Sequence, residues 1–135
     1  MQEYLSGLND QQKEAVLHRD GPIMIVAGAG SGKTKVLTTR IAHLLATGVD
    51  PFNILALTFT NKAAAEMKER VEHILGNNEA RNIYIGTFHS VFARILRAEA
   101  DKIGYPRNFT IYDTDDTKSV VKTVVNKLGL DDKNY

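Results

Sequence analysis

The chain alternates short apolar runs with longer stretches in which apolar residues recur every three or four positions. The runs are Ile23-Met24-Ile25-Val26, the segment 53–59 built on Ile54-Leu55-Ala56-Leu57, and the segment 82–88 built on Ile83-Tyr84-Ile85. Each has the length and flanks of a strand buried in a sheet. A helical spacing follows each of them: Val36, Leu37, Ile41, Leu44 and Leu45, then Ala64, Met67, Val71, Ile74 and Leu75, then Val91, Phe92, Ile95, Leu96 and Ile103. The punctuation agrees. Gly48 and Pro51 stop the first of these helices, Asn61 stands where a cap would start the second, and Gly76 and Gly104 close the second and third. A short helix over Leu8–Val16 precedes them, with Asn9 as its cap. Beyond Pro106 the segment 108–112 reads as extended, and Asp113-Thr114-Asp115-Asp116 leads a last helix bearing Val120, Val121, Val124, Val125 and Leu128. Three strand-then-helix units in succession predict an α/β fold, a parallel sheet with right-handed crossovers and flanking helices. In such sheets ligands bind beyond the carboxyl ends of the strands.

The first of those ends carries recognisable chemistry. Ala27-Gly28-Ala29-Gly30-Ser31-Gly32-Lys33-Thr34 joins an apolar run to a helical pattern, the arrangement of a phosphate-binding P-loop. A nucleotide's phosphates need several backbone N–H groups turned inward, so the loop must curl tightly and keep side chains away. Gly28, Gly30 and Gly32 permit that curl, and the helix starting near Gly32 adds its free amides and the positive end of its dipole. Lys33 is expected to reach the β- and γ-phosphates, and the Thr34 hydroxyl to ligate Mg²⁺. Ala27 departs from the strict pattern, which has glycine there.

The other two ends echo each other. Thr58-Phe59-Thr60-Asn61 and Thr87-Phe88-His89-Ser90 both close an apolar run with Thr-Phe and small polar groups at a helix start. An aromatic residue at a strand end is commonly core. Alternatively the two form a platform, on which hydroxyls and helix amides hold phosphates while an aromatic face receives a base. Lys62 and Arg94 stand near enough in sequence to add positive charge. Gln12 also has two readings. Three residues after Asn9, it suits the second half of a capping box, and its amide also matches N7 and N6 of adenine in one bidentate pair. Spacing does not choose between them.

Composition narrows the class. At 135 residues and 43% hydrophobic, the chain has the size of one domain with one core. A net charge of +1 gives no overall field for nucleic acid or membrane, so a binding surface must be local. Without cysteine there is neither a disulfide framework nor cysteine-ligated zinc. His18, His43, His73 and His89 lack metal-ligand spacing. No secretory signal pattern opens the chain, and its apolar runs are too short to span a bilayer, so a soluble cytoplasmic protein is expected.

Taken in order, these motifs resemble the N-terminal part of UvrD/PcrA/Rep-type superfamily 1 DNA helicases, from Leu8 to about Leu130. Leu8 to Val16 looks like that family's Q motif, with Gln12 at the adenine-reading position. Ala27 to Thr34 is similar to its Walker A motif, where alanine in first place is normal. Thr58 to Ala64 resembles motif Ia, and Gly86 to Ser90 the motif that follows; both contact single-stranded DNA in the family. The resemblance implies a P-loop NTPase (RecA-like) sheet, ATP and Mg²⁺ as ligands, and single-stranded DNA and duplex junctions as partners. It makes Phe59 a base-stacking candidate and Thr60, Asn61, Lys62, Thr87, Phe88 and His89 further DNA contacts. It also implies that residues 1–107 belong to the first motor domain and 108–135 begin an inserted helical subdomain. Lys35 departs from the family's usual arginine, whose planar guanidinium lies on adenine; lysine does not stack that way. No Asp-Glu pair follows an apolar strand, and the arginines of a second RecA-like domain are missing. The chain is therefore expected to be an N-terminal fragment, inactive alone, of an ATP-dependent 3′→5′ helicase. Two rivals stand against this. One is a complete small phosphotransferase with Asp113 as its Mg²⁺-binding acid; the other is a non-catalytic nucleotide-binding module whose phenylalanines are all core.

Overall fold

Helix formation follows the apolar spacing closely. In a computed structural model that describes residues 3–130, the helices are α1 (Asp10–Leu17), α2 (Lys33–Ala46), α3 (Asn61–Leu75), α4 (Phe88–Glu99) and α5 (Thr114–Lys127). The chain divides into two compact units, Met1–Arg94 and Ile95–Tyr135.

The strands of the first unit are β1 (Leu55–Thr58) and β2 (Tyr84–Thr87). They pair in parallel, with Leu55 opposite Tyr84 and Thr58 opposite Thr87. The fold is thus α/β, with a two-stranded parallel sheet among the described residues. The third expected strand, Ile23–Val26, does not form. Its residues have no ladder partner, and all four are exposed, at 39, 86, 42 and 87% in turn. The cause is pairing rather than propensity. A central parallel strand is held by a neighbour on each side, and the described residues supply neither neighbour. The segment 108–112 likewise remains outside any strand.

The main core of this unit joins α2, β1 and α3 through Ile41, Ala42, Leu45, Ala56, Met67 and Val71, with Ile54, Ala80 and Ile83 around them. A smaller cluster sets Leu8, Ala15 and Val16 against Val36, and so packs α1 onto α2. Beside it the Tyr4 hydroxyl meets His43 Nδ1 at 3.1 Å. Burial, then Arg19 and Arg40, push the His43 imidazole below its ordinary value. Burial pushes the Tyr4 phenol up.

The helix ends differ from expectation in three places: Thr47 rather than Gly48 caps the end of α2, α4 stops at Glu99 with Gly104 closing a separate turn over Ala100–Ile103, and the start of α3 is shifted. Thr60, not Asn61, caps α3, with its hydroxyl accepting from the Ala63 amide at 3.1 Å. Thr60 keeps extended backbone at φ −127°, while Asn61 is already helical. The helix ends at Gly76 as expected.

At Gly86, in β2, the first turn of α4 lies close against the backbone. A Cβ built there would lie 2.8 Å from both Ser90 Oγ and Val91 Cγ2, and Val91 is fully buried. Neither neighbour is the loose end of a long side chain. Gly86→Ala is therefore expected to lower stability by about 1–3 kcal/mol, the usual cost of overpacking. Urea denaturation checks this, and an unchanged midpoint would refute it.

In the second unit, α5 opens on a capping box. Asp113 accepts from the Asp116 amide at 2.8 Å, and Asp116 accepts from the Asp113 amide at 3.2 Å. Its Val120, Val121, Val124 and Leu128 are exposed.

Candidate nucleotide site and aromatic ledge

Four of the five helices have a side chain capping their amino end: Asn9 for α1, Thr60 for α3, Asp113 for α5, and Thr87 for α4, whose hydroxyl accepts from the Ser90 amide at 3.2 Å. Helix α2 is different. Its N-cap is Gly32, with no side-chain hydrogen bond, and the first-turn amides of a helix have no carbonyl four residues back. An anion would supply what the other caps supply, in the favourable field of the helix dipole.

The loop in front of α2 is tightly turned. Ser31 donates to the Gly28 carbonyl from its hydroxyl at 2.6 Å and from its amide at 3.3 Å. Gly30 at φ 74° and Gly32 at φ 84° take left-handed backbone that favours glycine. Gly28 does not, so of the three loop glycines only these two are required by their dihedrals.

A cleft of about 280 Å³ opens between this loop and α1, lined by Asn9, Gln11, Gln12, Ala27, Ser31, Lys33 and Val36, among others. Gln12 does more here than either sequence reading alone allowed. Its Oε1 accepts from the Asn9 backbone amide at 3.0 Å and its backbone N–H donates to Asn9 Oδ1 at 2.8 Å, completing the capping box. Its Nε2 also donates to the Ser31 carbonyl at 3.2 Å. A glutamine amide has two N–H donors and two oxygen lone pairs. One of each is used, so one of each remains, the pair that adenine N7 and N6 require. The two readings of Gln12 are compatible.

Lys33 also lines a second cleft, of about 420 Å³, together with Thr34, Thr58, Phe59, Thr60 and Glu66. One lysine thus borders both the loop cleft and the tip of β1. Glu66 escaped the sequence reading, since an acid on the exposed side of a helix gives no signal by itself. Lys35 departs from the group: its Nζ donates to the Gly7 carbonyl at 2.6 Å, and it lines neither cleft.

The repeated Thr-Phe becomes a pair in space. Because Thr58 and Thr87 are in register, Phe59 and Phe88 emerge side by side, ring centroids 5.5 Å apart and planes at 35°. Phe59 is 91% exposed and Phe88 42%, so the reading of both as core is wrong. Together with Thr58, Thr87 and His89 they line a cleft of about 300 Å³. Asn61 and Lys62 are exposed on the first turn of α3, outside that lining. Arg94 lies over the Tyr84 ring, 5.6 Å from its centroid. Asp113 does not end a strand; its carboxylate caps α5.

Comparison with known proteins agrees with this geometry. Residues 8–135 match the family model described as the UvrD/REP helicase N-terminal domain. The ATP-dependent DNA helicase PcrA of Bacillus subtilis (strain 168) is 58% identical over 134 residues, and that of Staphylococcus epidermidis (strain RP62A) 55% over 136. The protein of the same name from Staphylococcus aureus (strain Mu50) is 54% identical over 136 residues. These matches cover 98–100% of this chain but 18% of each relative's length. With its match running from Leu8 through the loop and both strand tips, the chain belongs to the UvrD/REP helicase family.

Proposed function

We propose that this chain is the N-terminal, ATP-binding portion of an ATP-dependent 3′→5′ DNA helicase acting in the cytoplasm in DNA repair or replication. Its fold is then the beginning of a P-loop, RecA-like sheet in which Ile23–Val26 is an inner strand, paired by strands from the remainder of a longer protein. Residues 1–107 belong to that motor domain, and 108–135 open an inserted helical subdomain. No described helix is long and apolar enough to cross a membrane.

The observation that carries the reading is the position of Lys33, which lines both the loop cleft and the cleft reaching Phe59. In the proposed mechanism the loop 27–34 holds the phosphates of ATP through its amides, and Lys33 neutralises the β- and γ-phosphates. Gln12 reads adenine with its remaining donor and lone pair. The Thr34 hydroxyl suits Mg²⁺, a hard cation that takes oxygen ligands and, when bound, offsets charge on the transferring phosphate. At the other end, Phe59 and Phe88 stack on bases of single-stranded DNA, while Thr60, Asn61, Lys62, Thr87 and His89 contact its backbone. Movement at the phosphates reaches the bases through α2, β1 and α3, which share one core. The acid that activates water and the arginines of a second RecA-like domain come from beyond this segment.

Duplexes with a single-stranded tail test the reading in the full-length protein. It is expected to separate strands when the tail is 3′ and ATP is present, and not when the tail is 5′. A protein that hydrolyses no ATP with single-stranded DNA present would overturn it.

A further inference from the structure

Helix α1 carries Gln12, and the cleft works only if α1 stays where Gln12 meets the loop. Two cations of α2 clasp it. At its carboxyl end, Arg40 Nη1 donates to the carbonyls of Ala15 at 2.8 Å, Val16 at 3.4 Å and His18. These belong to the last turn and cap of α1, where carbonyls lack intrahelical partners and the dipole is negative. At its amino end, Lys35 Nζ holds the Gly7 carbonyl, three residues before the helix begins. Between the two ties, Val36 packs on Leu8, Ala15 and Val16.

Lys33, Val36 and Arg40 recur at helical spacing on α2, so one side of that helix carries the phosphate lysine, the contact with α1 and the arginine clasp. Gln12 lies three and four residues ahead of Ala15 and Val16, on the neighbouring turn of α1. Its Nε2 is 3.2 Å from the Ser31 carbonyl, and a Cβ at Gly32 would lie 3.1 Å from that same nitrogen. The fit leaves little room for α1 to slide without moving the amide.

We propose that Arg40 is a positioning residue for nucleotide selectivity. By tying the carboxyl end of α1 to α2, it holds Gln12 in register with the loop, and Lys35 assists from the other end in place of stacking on the base. All three contacts come from Nη1, on a planar guanidinium that is less strongly hydrated than an ammonium and so loses less on leaving water for these carbonyls. The inference rests on the reading of the cleft as an ATP site, with Gln12 facing adenine.

The experiment uses the full-length protein, assayed well below its unfolding temperature with ATP and with GTP. Arg40→Gln is expected to lower the ratio of kcat/KM for ATP over GTP about tenfold, toward the lower range for one bidentate base contact. The loss falls on KM for ATP, with kcat changed by less than about twofold, as when binding common to ground and transition state is removed. Arg40→Lys gives a smaller loss in the same direction and decides the matter should Arg40→Gln not fold. Added to Gln12→Ala, Arg40→Gln removes no further selectivity, since both act through one amide. A lowered melting temperature with an unchanged ATP-to-GTP ratio means Arg40 supports only the fold, and the proposal falls. An additional loss in the double variant also overturns it. Lys33→Ala separates this failure from that of the site: if it leaves ATP turnover intact, the ATP reading itself is wrong.

Discussion

Replacing Lys33 with alanine in the full-length protein is expected to lower kcat for ATP hydrolysis by about 10²–10³-fold, the scale for removing one preorganised charge-stabilising group. Lys33 is exposed and belongs to neither hydrophobic cluster, so the fold is expected to survive. Circular dichroism and single-turnover kinetics together separate lost chemistry from lost structure. A companion result concerns residues 1–135 alone, for which turnover with or without DNA is expected to be negligible. In the proposed reading the loop cradles the phosphates, while the acid that activates water comes from the remainder of a longer protein. Substantial DNA-stimulated turnover by the segment, abolished by Lys33→Ala, would contradict that expectation.

The second large effect belongs to Phe59. Phe59→Ala is expected to weaken binding of single-stranded DNA by the full-length protein by about 1–3 kcal/mol, the range for losing one stacked base. Thermal stability is expected to fall by no more than about 0.5–1.5 kcal/mol, the worth of an aromatic pair such as Phe59 with Phe88. The two measurements pull apart because the ring is 91% exposed. A core phenylalanine would show the reverse, a loss of about 3–5 kcal/mol in stability. Unchanged DNA affinity in a folded protein would favour the nucleotide-binding module without a DNA ledge.

Local chemistry was readable along the chain where it is decided by near neighbours. The five helices, the capping box of Asn9 and Gln12, and the end of α3 at Gly76 depend on residues within a turn of one another. Even there Thr60 displaced Asn61, since both can cap and the choice depends on where the strand backbone stops being extended. The strand at Ile23–Val26 failed for a different reason: its apolar run gives a propensity, but a ladder needs partners distant in sequence. At the site, the glycine-rich loop announced itself through composition and order. Arg40 did not, because an arginine in mid-helix looks like any solvated charge until the carbonyls it meets, more than twenty residues earlier, are known. The Thr-Phe echo was visible as a repetition, while its meaning needed the register that sets Thr58 against Thr87.

That register also limits how the ledge can be used. Rings inclined at 35° diverge like the sides of a shallow V, so one flat guest cannot lie flush against both. Phe88 is more than half covered, and Phe59 offers the open side. If the ledge receives bases as proposed, a visiting base has a single landing face, and the next base along must leave the stack to find its own.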